Sequence, residues 1–122
     1  MKIKSNDYPE IIQGIDNGIY LYHFDIDEID INGINSEPHK GYEYQEVKII
    51  GILTANAITE SVINYLWPNG VENKLINDYY ASKIGLLDSS YEDKYNRFLT
   101  DRDRIKKQIN SDFDIYIKVN KS

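Results

Sequence analysis

The chain has 122 residues, 41% of them hydrophobic and 28% charged, with a net charge of −6 and no cysteine. That length suits one domain with one core, and the composition is globular, not disordered. Without thiols, disulfides, thiolate metal sites and a cysteine nucleophile are excluded.

Met1 to Glu10 include two lysines with no apolar run behind them, so no signal peptide is expected. No stretch approaches the roughly 20 apolar residues that span a bilayer. The expected compartment is the cytoplasm, and no membrane contact is expected. Ile, Asn, Lys, Tyr and Asp make up more than half the chain. Their codons are A/T-rich, which points to a low-GC bacterium or one of its phages. Residues 1–50 hold ten acids against four bases, whereas residues 51–122 hold ten of each. This asymmetry favours a basic protein partner over nucleic acid.

Taken in order, the elements describe an α+β domain over 1–122. Residues 1–53 read as mainly strands, 54–112 as three helices, and 113–119 as a closing strand. A short first strand is expected around Glu10–Gln13, turned by Asp16-Asn17-Gly18. From Tyr20 the apolar residues fall on even positions (Tyr20, Tyr22, Phe24, Ile26), then switch to odd ones at Ile29 and Ile31. The next strand breaks phase too, from Tyr42 and Tyr44 to Val47 and Ile49. A β-bulge, strand ends or a change of sheet face would each produce such a break. Joined by Asn32-Gly33 through Gly41, the two strands read as a long bent hairpin.

Thr54 or Asn56 can cap a first helix carrying Ile58, Val62, Ile63 and Leu66, ended by Trp67-Pro68-Asn69-Gly70. Val71 to Ile84 form a second helix stopped by Gly85. Its apolar residues spread over a wide arc, which places it between two layers. Ser89-Ser90-Tyr91-Glu92 has capping-box spacing for a third helix with a stripe of Tyr91, Tyr95, Phe98, Ile105 and Ile109. Phe113, Ile115, Ile117 and Val119 then alternate, which reads as a strand joining the sheet, with an extended helix as the alternative.

Chemistry is sparse. Asp25 through Gly33 resembles a calcium loop, but neither register places oxygen ligands and glycine as an EF-hand requires. His23, Asp25 and Asp27 share a strand face and would hold a cation only if another element closed the shell; a wet outer sheet face is the simpler reading. His39 is expected in a loop. No Gly-x-Ser-x-Gly, phosphate loop, His-Glu-x-x-His or dinucleotide fingerprint occurs. No cofactor and no catalytic residue are expected.

Eleven tyrosines suit interfaces as well as cores. Trp67, Tyr79 and Tyr80 are the interaction candidates, and one exposed aromatic patch is expected. Arg102 interrupts the apolar stripe of the third helix, so it must snorkel or meet a carboxylate. An ion pair with an N-terminal acid is the expected solution, with contact to a partner as the alternative.

Gly41-Tyr-Glu-Tyr-Gln-Glu-Val-Lys-Ile, Ile58-Thr-Glu-Ser-Val-Ile and Ser90-Tyr-Glu-Asp-Lys-Tyr-Asn-Arg-Phe-Leu through Ile105-Lys-Lys carry a resemblance. Over residues 41–110 the chain resembles small phage and prophage proteins from gut Bacteroidetes. The resemblance implies a structural or assembly role in a phage particle, tail-associated in one form, and no catalytic residues. The expected function is therefore a non-enzymatic interaction protein that docks on itself or on phage structural proteins. An acidic inhibitor of a basic host protein and a small metal-dependent hydrolase on His23, Asp25 and Asp27 are the alternatives.

Overall fold

The computed structural model describes residues 1–31 and 38–120. The alternating segments form two long strands, β3 (Ile19–Ile31) and β4 (His39–Ile50). Two short strands flank them, β1 (Lys2–Ser5) beside β4 and β2 (Ile12–Asp16) beside β3. The result is a four-stranded antiparallel sheet of order β1-β4-β3-β2, followed by three helices. Nothing in the sequence reading anticipates β1, whose four residues offer only one apolar alternation at Ile3.

The phase break in β3 is a bulge. Phe24 pairs with Gln45 and Asp27 with Glu43, which leaves one extra residue on β3. Asp25 takes the left-handed conformation there, with φ 50°. The break in β4 has another cause, a change of buried face. Val47 and Ile49 point into the core, whereas Tyr44 points to the opposite face and is buried there beside the His23 ring. The chain between β1 and β2 crosses this outer face. Tyr8 packs edge-on against Tyr42, and the carbonyl of Glu10 reaches the His23 ring.

The Asn32-Gly33 turn lies outside the described residues. His39 and Gly41, expected in the connection, belong to β4. Gly41 is required by close approach: a Cβ there would run into the Ile31 side chain and lie 2.8 Å from the Ser5 carbonyl oxygen.

Helix α1 (Ala55–Leu66) is capped by Thr54, whose Oγ1 accepts from the Ala57 amide at 3.0 Å. Its Ile58 and Val62 are fully buried. Helix α2 (Val71–Lys83) ends in a Schellman motif: Leu86 N–H donates to the Ala81 carbonyl and Gly85 N–H to that of Ser82, with Gly85 at φ 84°. The expected place between two layers does not hold for α2. It packs chiefly on the third helix and buries only Ser82, so its wide apolar arc is half covered.

Helix α3 (Ser90–Asn120) is 31 residues long, about 46 Å at 1.5 Å per residue. Asp88 caps it, accepting from the Ser90 amide at 2.9 Å and from the Ser90 hydroxyl. The expected capping box does not close, because Glu92 turns instead to Lys83 Nζ at 2.7 Å and Ser82 Oγ at 3.3 Å. The closing strand expected over 113–119 is also corrected: those residues continue α3. In a helix Ile109, Phe113 and Tyr116 share one face, and all three meet the core. Prolonging a helix adds one hydrogen bond per ordered residue, whereas a terminal strand must find a new partner. The alternation at Ile115, Ile117 and Val119 is therefore incidental to the fold.

The core lies between sheet and helices. Ile12, Tyr22, Phe24, Val47 and Ile49 meet Ile58, Val62, Ile105 and Ile109, each full burial contributing roughly 1.5–3 kcal/mol. Among the described residues, no helix is both long and apolar enough to cross a membrane.

Candidate interaction groove

The bulge places Asp25 against the third helix. Its carboxylate accepts from Arg104 Nη1 at 3.4 Å, across a cleft of about 310 Å³ lined by Tyr8, His23, Ile26 and Gln108. β2 stops pairing at Tyr22, and one further bond runs from the His23 amide to the Ile11 carbonyl at 2.9 Å. Beyond it, no described strand lies on this side of β3. The bulge therefore opens a sheet edge beside a charged helix face.

His23 is 3% exposed, held with Nδ1 2.5 Å from the Glu10 carbonyl and Nε2 2.9 Å from Glu46 Oε2. Nδ1 thereby fastens the crossing segment onto the sheet, and Nε2 ties β3 to Glu46 of β4. Asp27 rejoins the β4 ladder opposite Glu43 and is absent from the cleft. The three residues singled out as metal ligands thus do not converge. Among the described residues, no group of three or more histidine or acidic side chains is placed to hold a cation.

One contact of this region escaped sequence reasoning. Tyr22, 1% exposed in the core, donates its hydroxyl to Asp112 Oδ2 at 2.5 Å, and Gln108 Nε2 donates to the other oxygen at 2.9 Å. Burial, then the bond to and charge of Asp112, push the Tyr22 phenol far above its ordinary value. The pair pins helix to sheet. Ser111-Asp112 reads in sequence as the end of a helix, so its only signal is the spacing of Asp112 from Ile105 and Ile109 on one face.

Past Asp112 the cleft continues as an apolar trough of about 200 Å³ under the last turns of α3. Ile11 and Ile12 form one wall, with Ile115, Tyr116 and Val119 as the other and Glu10 and Asn120 at the rim. The two hollows share Ile11 and Asp112 and make one groove along α3. Ile115 is 58% exposed and Val119 69%. On the opposite flank of α3, Ile117 and Phe113 border a wide depression with Tyr20 and Ile52, which is 86% exposed.

The other interaction candidates lie at the far end of the molecule. Trp67 is half-buried and packs edge-on against Phe98, at 4.9 Å between ring centres. Tyr79 is half-buried against Tyr95, and Tyr80 is exposed, touching Tyr79 edge-on. Arg102 finds its carboxylate, but on α2: Nη1 lies 2.8 Å from Glu72 Oε1, with the guanidinium over the Phe98 ring. The expected N-terminal acid is not its partner, because α2 lies against this stretch of α3. These contacts tie α1, α2 and α3 together, and only Tyr80 presents much surface, beside exposed Ile84 and Leu86.

No protein-family model, curated protein or solved structure is significantly similar to the chain.

Proposed function

We propose that this is a non-enzymatic interaction protein, a structural or assembly component of phage or prophage origin, that docks on a protein partner. The phage origin, and with it a host cytoplasm or a particle as the compartment, rests on the sequence resemblance of residues 41–110 alone. The observation that carries docking is the pair of exposed aliphatic side chains on the last turns of α3, Ile115 and Val119, which overhang the groove; on the opposite flank of α3, half-buried Ile117 and exposed Ile52 border a second depression. Uncovered apolar surface of this kind marks contact sites. The cleft offers a carboxylate already paired with a guanidinium and an imidazole engaged at both nitrogens, which favours recognition over acid–base chemistry.

Site-specific photo-cross-linking in the producing cell tests this reading. A photoreactive residue at Ile115 is expected to give discrete protein adducts that disappear when Ile11→Asp is added. The same residue at Asp103, on the exposed side of α3, is expected to give none. Equal adducts from both positions, or none from Ile115, would contradict the reading.

A further inference from the structure

We infer that the groove along α3 receives an extended, basic peptide segment of the partner, about six residues long, with aliphatic side chains at its Val119 end. This deepens the interaction reading and rests on it.

Length comes first. From Arg104 to Val119 the helix rises about 22 Å, which matches six or seven residues of extended chain at about 3.3 Å each. The backbone decides the conformation: past His23, the β2 side of β3 has no described strand upon it, so a segment entering at the bulge can add to that edge as a strand does.

Charge sets the chemistry. Among the described residues, the charged side chains lining the groove are Glu10, Asp25 and Asp112 against Arg104. Asp112 is engaged by Tyr22 and Gln108, and Asp25 by Arg104 at a long 3.4 Å with both side chains about half exposed. An incoming cation displaces Arg104 from Asp25 at little cost, since an exposed pair of this kind contributes little. Glu10 stands at the apolar end, within reach of a second cation. A second copy of this acidic chain fits poorly, whereas a basic strand is complementary.

Fluorescence anisotropy with three capped hexapeptides tests the inference: alternating Leu-Lys, alternating Leu-Glu and alternating Ser-Lys. The Leu-Lys peptide is expected to bind at least roughly tenfold tighter than either other one, more weakly as salt rises. Ile115→Asp and the double variant Glu10→Gln with Asp25→Asn are each expected to weaken it by roughly tenfold, about 1.4 kcal/mol. Both replace exposed or rim groups, and melting curves check that the fold is kept. Tyr80→Ala, at the far end, is expected to leave binding unchanged. Equal binding of the acidic peptide, or indifference to Ile115→Asp, would overturn the inference. Groove cross-links without a preference for the basic peptide would overturn this partner class alone; absence of both would overturn the interaction reading as well.

Discussion

Tyr22 and Asp112 show how much one buried hydrogen bond can organise. The phenol sits in the core, and its hydroxyl reaches the only carboxylate that α3 turns toward it. Tyr22→Phe is expected to cost about 1.5–3 kcal/mol, the range for a hydrogen bond to a charged group. It also changes the alkaline limb of stability. The folded phenol is raised by burial and by Asp112, while the unfolded one ionises near pH 10. The native state therefore holds more protons above about pH 10, and stability falls as pH rises through that region. Thermal melts across it are expected to fall less steeply for Tyr22→Phe than for the wild type. Parallel slopes would contradict the assignment. At this scale the sequence is only partly readable. The core role of Tyr22 follows from alternation, but its partner stands 90 residues away and no local pattern names it. His23 is similar: alternation puts it on the outer face, read as wet, but the crossing segment covers that face and buries the ring, and sequence does not reveal that segment's path.

Among the elements, α3 carries most of the architecture. Its first half meets α2 and α1, its middle covers the sheet, and its end walls the groove. Arg102 fastens the first half. With its side chain 30% exposed and that of Glu72 46% exposed, the ion pair is weak, and the guanidinium adds its contact with Phe98. Together these are worth about 1 kcal/mol. Arg102→Ala is expected to lower the melting temperature by roughly 3–5 °C. An unchanged melt would mean that α2 is held by its aromatic contacts alone. The helices were legible because caps, stops and stripes are local: Thr54, Gly85 and the Phe98–Ile105–Ile109 stripe all act where expected. The phase breaks were legible but not their cause: the same signal marks a bulge in β3 and a change of buried face in β4. The end of α3 was not. Period-two spacing over seven residues satisfies a strand and a helix flank equally, and only the packing of Phe113 and Tyr116 on the sheet decides between them.

For the whole molecule, the decisive feature is the edge of β3, which beyond β2 carries no described strand. β2 covers only the first part of β3, the bulge turns Asp25 aside, and α3 overhangs the space where a longer strand would lie. A groove assembled from residues 8–12, 23–26 and 104–120 has no sequence motif, because its parts are brought together by topology. Charge asymmetry was the one whole-chain signal that pointed toward it, and Glu10 and Asp25 belong to that acidic first half. Residue-resolved amide hydrogen exchange, with and without the Leu-Lys hexapeptide, locates what the molecule binds with. Added protection is expected at Ile11–Ile12, Asp25–Ile26 and Asp112–Val119. Protection confined to the Tyr80–Leu86 tip, or none at all, would contradict a docking groove beneath α3.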